Sequence, residues 1–143
     1  MQSSELERVL VVEDDPLQAM ALEDELTAAG VGEVRTFASI AEAMPQIATF
    51  QPQVLVLDVH LADRDDGWGL AEIATQLCNP TPRIIFSTGA PETIPAKLRA
   101  HAEILVKPYD PRELVVRLAA PKRDSLGRSL GRKLGAMISG KTL

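Results

Sequence analysis

The feature that most constrains the fold of this chain is an apolar run near its middle that ends on one carboxylate. Residues 52–60 read PQVLVLDVH, and four apolar residues, Val54 to Leu57, directly precede Asp58. A β-branched-rich run of this length, opened by a proline, is typical of a central strand buried on both faces of a parallel sheet. Ligands bind at the carboxyl ends of such strands, so Asp58 lies where a ligand-binding or reactive residue is expected.

Length and composition limit the class of protein. The chain has 143 residues, of which 45% are hydrophobic and 24% charged, and this suits one domain with a core of its own. No apolar run is long enough to span a membrane, and the first residues, MQSSELER, lack the layout of a signal peptide. We therefore expect a cytoplasmic protein without a membrane span.

Charge divides the chain into an acidic body and a basic tail. Residues 1–120 carry nine basic and 19 acidic residues, whereas residues 121–143 carry six basic residues and one acidic residue. The expected domain is 1–120, and its acidity argues against nucleic-acid binding. In the tail, Leu126, Leu130 and Leu134 keep helical spacing beside basic residues, but four glycines weaken a helix there. The tail is expected to be helical or disordered.

Strand and helix signals alternate along the body. Helix starts are marked by Asp15 before Pro16, by Ser39, and by Asp110 before Pro111, because these residues cap a helix and proline suits its first turn. Five strands alternating with five helices predict an α/β fold, a flavodoxin-like (βα)5 with a five-stranded parallel sheet and helices on both faces. The predicted strands cover 8–12, 34–37, 54–57, 84–86 and 103–106, and the helices begin near 16, 40, 70, 95 and 111.

The body also contains a helix signal interrupted by prolines and a single cysteine. The helix near residue 95 contains two prolines and should be short, from about Pro95 to Arg99. The single cysteine, Cys78, has apolar neighbours and is expected to be a buried thiol.

The spacing of apolar residues predicts which helix faces are buried. The predicted apolar faces are formed by Leu17, Met20, Ala21 and Leu26 in the first helix and by Leu70, Ile73, Ala74 and Leu77 in the third.

Polar residues follow four of the predicted strands. Glu13 and Asp14 follow the first strand, Asp58 the third, Thr88 the fourth and Lys107 the fifth. The carboxyl ends of parallel strands share one edge of the sheet, so three acids, a hydroxyl and a lysine should converge there.

This set of groups suits phosphoryl transfer assisted by a metal ion. Clustered carboxylates repel one another unless a cation neutralises them, and oxygen ligands with room for water and phosphate favour Mg²⁺. A carboxylate such as Asp58 can act as a nucleophile toward phosphorus. The Lys107 ammonium and the Thr88 hydroxyl could bind phosphoryl oxygens.

Four motifs resemble those of the receiver domains of two-component response regulators. They are VLVVEDDP, LVLDVHL, IIFSTGA and LVKPYDP, and the likeness spans about residues 7–119. The resemblance implies that Asp58 accepts a phosphoryl group from a phosphohistidine on a sensor histidine kinase or phosphotransfer protein. It further implies that the chain signals to a downstream protein target, and it leaves homodimer formation open.

The resemblance also assigns the other residues of the site. Glu13 and Asp14 would hold Mg²⁺ together with Asp58 and the main-chain carbonyl of His60. Thr88 would be the switch hydroxyl. Lys107 would pair with the phosphoryl group and would precede a cis-proline, Pro108.

Parts of the sequence depart from the receiver pattern. The aromatic switch residue that usually stands three positions before the lysine is replaced by Ile104. The FSTGA segment and the short span to Lys107 resemble a subgroup, often of single-domain receivers, that is marked by a Phe-Ala-Thr-Gly motif. In this chain Ser87 replaces its alanine.

Two other functions use the same features. Phosphatases of the haloacid dehalogenase type also have an Asp nucleophile and Mg²⁺, but they need a second acid two residues later, where this chain has His60. A binding module that is never phosphorylated could use the fold alone. The complete acceptor set favours the receiver function over both.

Overall fold

The computed structural model describes residues 6–59, 68–96 and 103–120. Its sheet contains the strands β1 (Arg8–Val12), β2 (Glu33–Phe37), β3 (Val54–Asp58), β4 (Arg83–Thr88) and β5 (Glu103–Val106). The strand order is β2-β1-β3-β4-β5, and every neighbouring pair is parallel. This order confirms the predicted flavodoxin-like fold.

Four α-helices lie within the described residues, and none of them is long and apolar enough to cross a membrane. A 3-10 turn, Pro91–Thr93, follows β4. Most of the short helix expected from Pro95 to Arg99 lies outside the described residues, as does the basic tail. The helices are α1 (Pro16–Ala28), α2 (Ile40–Phe50), α3 (Trp68–Leu77) and α4 (Pro111–Ala119).

The predicted capping residues begin three of the helices. Asp15 Oδ1 accepts the main-chain N–H of Leu17 at 3.0 Å, and Ser39 Oγ accepts that of Glu42 at 3.2 Å. Asp110 Oδ1 likewise accepts an N–H in the first turn of α4. Each of these bonds satisfies a donor that has no partner inside the helix, so the three starts predicted from the sequence are confirmed.

Two apolar layers cover the sheet, one on each face. β3 is buried along its whole length, as its apolar run predicted. Alternate strand residues point to opposite faces. Leu10, Val12, Leu55 and Leu57 pack in one layer with buried residues of α2 and α3, whereas Val9, Val11, Val54 and Val56 pack in the other with α1 and α4.

The structure corrects part of the predicted faces of two helices. Leu17 and Met20 of α1 are 76% and 59% exposed, and Leu77 of α3 is 47% exposed, whereas Leu26, Leu70 and Ala74 are buried as predicted. On α1 the buried residues lie roughly opposite Leu17 and Met20 around the helix axis. The buried residues are Ala19, Leu22 and Leu26 in α1 and Leu70, Ala71 and Ala74 in α3.

The expected burial of Cys78 is confirmed. Its side chain lies just after α3 in the layer formed with α2 and α3. Burial raises the pKa of the Cys78 thiol. A protonated thiol behaves as a small apolar side chain, which suits a packing position.

At the amino ends of β4 and β5, a mostly buried ion pair joins the two strands to α4. Arg83 donates to both carboxylate oxygens of Glu103, from Nε at 2.8 Å and from Nη2 at 2.7 Å. The same guanidinium donates to the main-chain oxygens of Arg117 and Ala120, each at 3.0 Å. The side chains of Arg83 and Glu103 are 10% and 12% exposed. A two-pronged pair with this little solvent fixes the edge of the sheet against the end of α4.

We predict that Glu103→Gln lowers the free energy of unfolding by about 2–3 kcal/mol, because it leaves a mostly buried guanidinium without its counter-charge. The matched control is Glu33→Gln, since Glu33 pairs with Arg35 at the same 2.8 Å but its side chain is 54% exposed. The control should cost less than about 1 kcal/mol. Urea unfolding followed by circular dichroism measures both values, and equal losses would contradict the prediction.

Candidate functional site

The carboxyl ends of the strands bring together the polar residues singled out from the sequence. Asp58 is the last residue of β3 and lies in register with Ser87 of β4. Thr88 is the last residue of β4 and lies in register with Val106 of β5, so Lys107 follows at the same level. Because the strands are parallel and aligned, residues far apart in the chain meet at one edge of the sheet.

Three acids form a cluster at this edge. One carboxylate oxygen each from Glu13, Asp14 and Asp58 lies within 4.8 Å of the others. Glu13 is 2% and Asp58 4% exposed, whereas Asp14 is exposed to solvent. Two buried carboxylates and one open to water form a set of hard oxygen ligands that leaves room for further ligands, which is the chemistry that Mg²⁺ prefers.

The Lys107 ammonium joins two of these acids. Its Nζ lies 2.7 Å from Glu13 Oε1 and 3.0 Å from Asp58 Oδ2. Burial would lower the pKa of Lys107, but its hydrogen bonds to Glu13 and Asp58 and their negative charges outweigh that effect, so its pKa lies above the ordinary 10.5. The stability that this cation contributes is therefore complete below pH 10.5 and is lost only as the pH rises through the raised pKa.

Glu13 is under the opposite electrostatic pressure. Burial raises its pKa above the ordinary 4.5, although the hydrogen bond from Lys107, that from the Asp15 N–H and the charge of Lys107 all lower it. The negative charge of Asp58 adds to the rise. The folded protein therefore holds the Glu13 proton more tightly than the unfolded chain does. As a result, the folded state loses stability as the pH rises through the raised pKa of Glu13. A cation held by Glu13, Asp14 and Asp58 would offset this loss.

Thr88 and Lys107 are linked through the main chain. Lys107 N donates to Thr88 O at 2.8 Å. The Thr88 side chain is buried, and its Oγ1 accepts the N–H of Ala90 at 3.0 Å. That bond uses the hydroxyl oxygen as an acceptor and leaves the hydroxyl proton to donate elsewhere. The Lys107–Pro108 peptide bond is cis, as the family resemblance implied.

His60, expected to offer a main-chain carbonyl to the metal, lies outside the described residues. Ile104, which stands where an aromatic switch residue was expected, is partly buried and packs against the layer formed with α2 and α3.

Sequence reasoning missed one contact beside the site. Ser87 Oγ and Tyr109 OH lie 2.9 Å apart in a hydrogen bond. The two residues stand next to Thr88 and two positions after Lys107, inside two of the motifs quoted above. A serine in place of the alanine expected before Thr88 was the available signal, but no pattern in the sequence indicated that Tyr109 would be its hydrogen-bond partner.

The fold places these charged residues at the carboxyl ends of parallel strands, which is where α/β domains of this class bind ligands. Comparison with known proteins identifies the family. The family model of the response regulator receiver domain matches residues 9–119. The chain therefore belongs to the response regulator receiver domain family, and its class is that of two-component signalling proteins.

Individual relatives agree with this family. A protein-glutamate methylesterase/protein-glutamine glutaminase from Archaeoglobus fulgidus is 34% identical over 105 residues, which cover 71% of this chain and 30% of that protein. The sensory transduction protein LytT from Enterococcus faecalis is 32% identical over 104 residues, covering 71% of this chain and 42% of that protein. This chain thus spans less than half the length of either curated relative, and the activity named for the first is not carried over to it.

A solved structure shows the same likeness in three dimensions. The crystal structure of a putative response regulator from Chloroflexus aurantiacus superposes with a TM-score of 0.64 at 38% identity. The match covers 79% of this chain and 94% of that one. A receiver domain, rather than a phosphatase of the haloacid dehalogenase type, is the class that fold and sequence support together.

We predict that Lys107→Met lowers the free energy of unfolding by about 3 kcal/mol in the absence of divalent cations, since it leaves the buried carboxylates of Glu13 and Asp58 without a counter-charge. Adding Asp58→Asn to this variant should recover part of the loss, because one of the two repelling charges is removed. Urea unfolding of the four proteins in a double-mutant cycle measures the coupling. Additive losses would contradict the prediction.

Proposed function

We propose that Asp58 is the phosphoacceptor of this receiver domain. The observation that carries the proposal is the position of its carboxylate, which is 4% exposed at the end of the central strand, between two further acids and a lysine ammonium. The donor would be a phosphohistidine on a sensor histidine kinase or a phosphotransfer protein. A cytoplasmic location, inferred from the sequence, is part of the same proposal.

In the transfer step, an oxygen of the Asp58 carboxylate attacks phosphorus and forms a P–O bond. The P–N bond of the phosphohistidine breaks, and its electron pair stays on the imidazole that leaves. The product is an acyl phosphate on Asp58. Because phosphoryl transfer needs mainly positioning and charge neutralisation, a lysine and a cation beside the nucleophile are adequate catalysts.

Glu13, Asp14 and Asp58 would hold Mg²⁺, together with the main-chain carbonyl of His60 that the family resemblance assigns. When bound, Mg²⁺ would neutralise charge on the phosphoryl oxygens and on the acid cluster. Lys107 already contacts Asp58 at 3.0 Å, so its ammonium would need only a short movement to pair with a phosphoryl oxygen there.

Thr88 would sense the modification. Its hydroxyl accepts a hydrogen bond from Ala90 N–H and can still donate to a phosphoryl oxygen on Asp58. Movement of Thr88 would then alter the segment after β4, where Ala90 begins the 3-10 turn. A downstream protein target could read this change, whether the domain acts alone, as in the Phe-Ala-Thr-Gly subgroup, or as a homodimer.

We predict that incubation with acetyl phosphate and Mg²⁺ adds one phosphoryl group to the protein and that Asp58→Asn abolishes the addition. Intact-mass measurement with and without EDTA tests both the acceptor and the need for a cation. The matched control is Asp110→Asn, because Asp110 is a carboxylate of the same type that caps α4 outside the acid cluster.

The control variant should be modified at the wild-type rate. Undiminished modification of Asp58→Asn would contradict the assignment of Asp58 as the phosphoacceptor. Absence of modification in the wild type, repeated with phosphohistidine donors, would instead favour a binding module that is never phosphorylated.

A further inference from the structure

A pair of hydroxyl groups, on Ser87 and Tyr109, lies on the chain segments next to Asp58 and Lys107 and takes no part in the chemistry described above. Ser87 Oγ and Tyr109 OH form a hydrogen bond of 2.9 Å. Ser87 is 1% exposed, and Tyr109 is half-buried against the layer formed with α1 and α4. Because a buried hydroxyl loses its bonds to water, the Ser87 hydroxyl depends on a partner inside the protein.

The two residues occupy informative positions. Ser87 directly precedes Thr88 and is the register partner of Asp58 on the neighbouring strand. Tyr109 stands two residues after Lys107, and Asp110, which caps α4, follows it. The bond therefore connects the strand beside the acceptor to the segment that carries the lysine.

A second bond connects the same two stretches of chain. Lys107 N donates to Thr88 O at 2.8 Å. The last two residues of β4 thus hold the segment from Lys107 to Tyr109 at both ends, one by a main-chain bond and one by a side-chain bond. If only one hydrogen bond held the segment, the segment could rotate about that bond and move the Lys107 side chain. The second bond restricts this rotation.

The state of the Tyr109 hydroxyl suits this role. Burial raises the pKa of Tyr109, and the negative charge of Glu13 adds to the rise, against the lowering effects of hydrogen bonds to Ser87 and Gln18 and of the Lys107 charge. The phenol therefore keeps its proton at neutral pH and can both donate and accept. Ile104, on β5, has no polar side-chain atom with which to make a comparable link.

We propose that Tyr109 and Ser87 are positioning residues for phosphoryl binding, which hold Lys107 where its ammonium can pair with a phosphoryl group on Asp58. This inference rests on the proposed function of Asp58. The ammonium spans two partners at 2.7 Å and 3.0 Å, so a small displacement of its main chain breaks at least one of these contacts. Sites that recognise phosphoryl groups tolerate little misplacement of a charged ligand.

The test compares Tyr109→Phe with the wild type, using beryllofluoride as the phosphoryl analogue. Calorimetric titration at saturating Mg²⁺ measures its affinity, and titration of Mg²⁺ alone measures the metal site. We expect the affinity for beryllofluoride to fall about fivefold, the effect of one ordinary hydrogen bond, and that for Mg²⁺ to stay within about twofold. Ser87→Ala should behave alike, and the double variant no worse than either single one.

The matched control is Thr75→Val. It removes a hydroxyl that donates to Glu72 O at 2.7 Å within α3. This variant should bind beryllofluoride like the wild type. Thermal unfolding of each variant, measured first, ensures that the titrations are made on folded protein. If Tyr109→Phe does not fold, Ser87→Ala and its control decide the question.

The outcomes separate this inference from the proposed function. Unchanged beryllofluoride affinity in both hydroxyl variants would show that the bond only stabilises the fold, and an equal loss in Thr75→Val would point to general destabilisation. A parallel loss of Mg²⁺ affinity would mean that the whole site is disturbed rather than the lysine. Each of these results overturns the inference alone, whereas a wild type that binds no beryllofluoride overturns the proposed function and the inference with it.

Discussion

The contact on which the candidate site depends is the ion pair of Lys107 with Glu13 and Asp58. It ties together the carboxyl ends of β5, β1 and β3. β4 lies between β5 and β3 in the sheet, so the lysine reaches across the end of β4. Neighbouring strands are about 4.8 Å apart, so a long side chain at the end of β5 is needed to meet the Asp58 carboxylate two strands away. The residues at the end of β4 therefore lie next to the path of the lysine side chain.

The sheet supports this contact by burying its central strand completely. β3 is covered on both faces, and Asp58 at its end is held with little access to water. Carboxylates in such a place are stable only beside positive charge, which Lys107 supplies. At the opposite edge the Arg83–Glu103 pair holds β4 and β5 to the end of α4. The strand that carries the lysine is thus held near both of its ends.

In the function proposed for this domain, charges change partners within one cluster. Glu13 and Asp58, both buried, share the Lys107 ammonium, and the exposed Asp14 lies beside these two acids, so the cluster suits a divalent cation. With a cation bound, Lys107 would no longer be needed to neutralise the carboxylates and could pair with a phosphoryl group. The hydroxyl of Thr88 would then contact the phosphoryl group, and that of Ser87 would hold the lysine segment.

The order of strands and helices, the capped helix starts and the acids, hydroxyl and lysine at the strand ends were determined by the sequence alone. They depend on local patterns and on the rule that parallel strands share an edge. Only the tertiary structure decided which side of α1 is buried, because a helix with apolar residues on several sides is oriented by the surface it packs against. The same holds for the bond between Ser87 and Tyr109, since a contact between residues 22 positions apart arises from the register of β4 and β5.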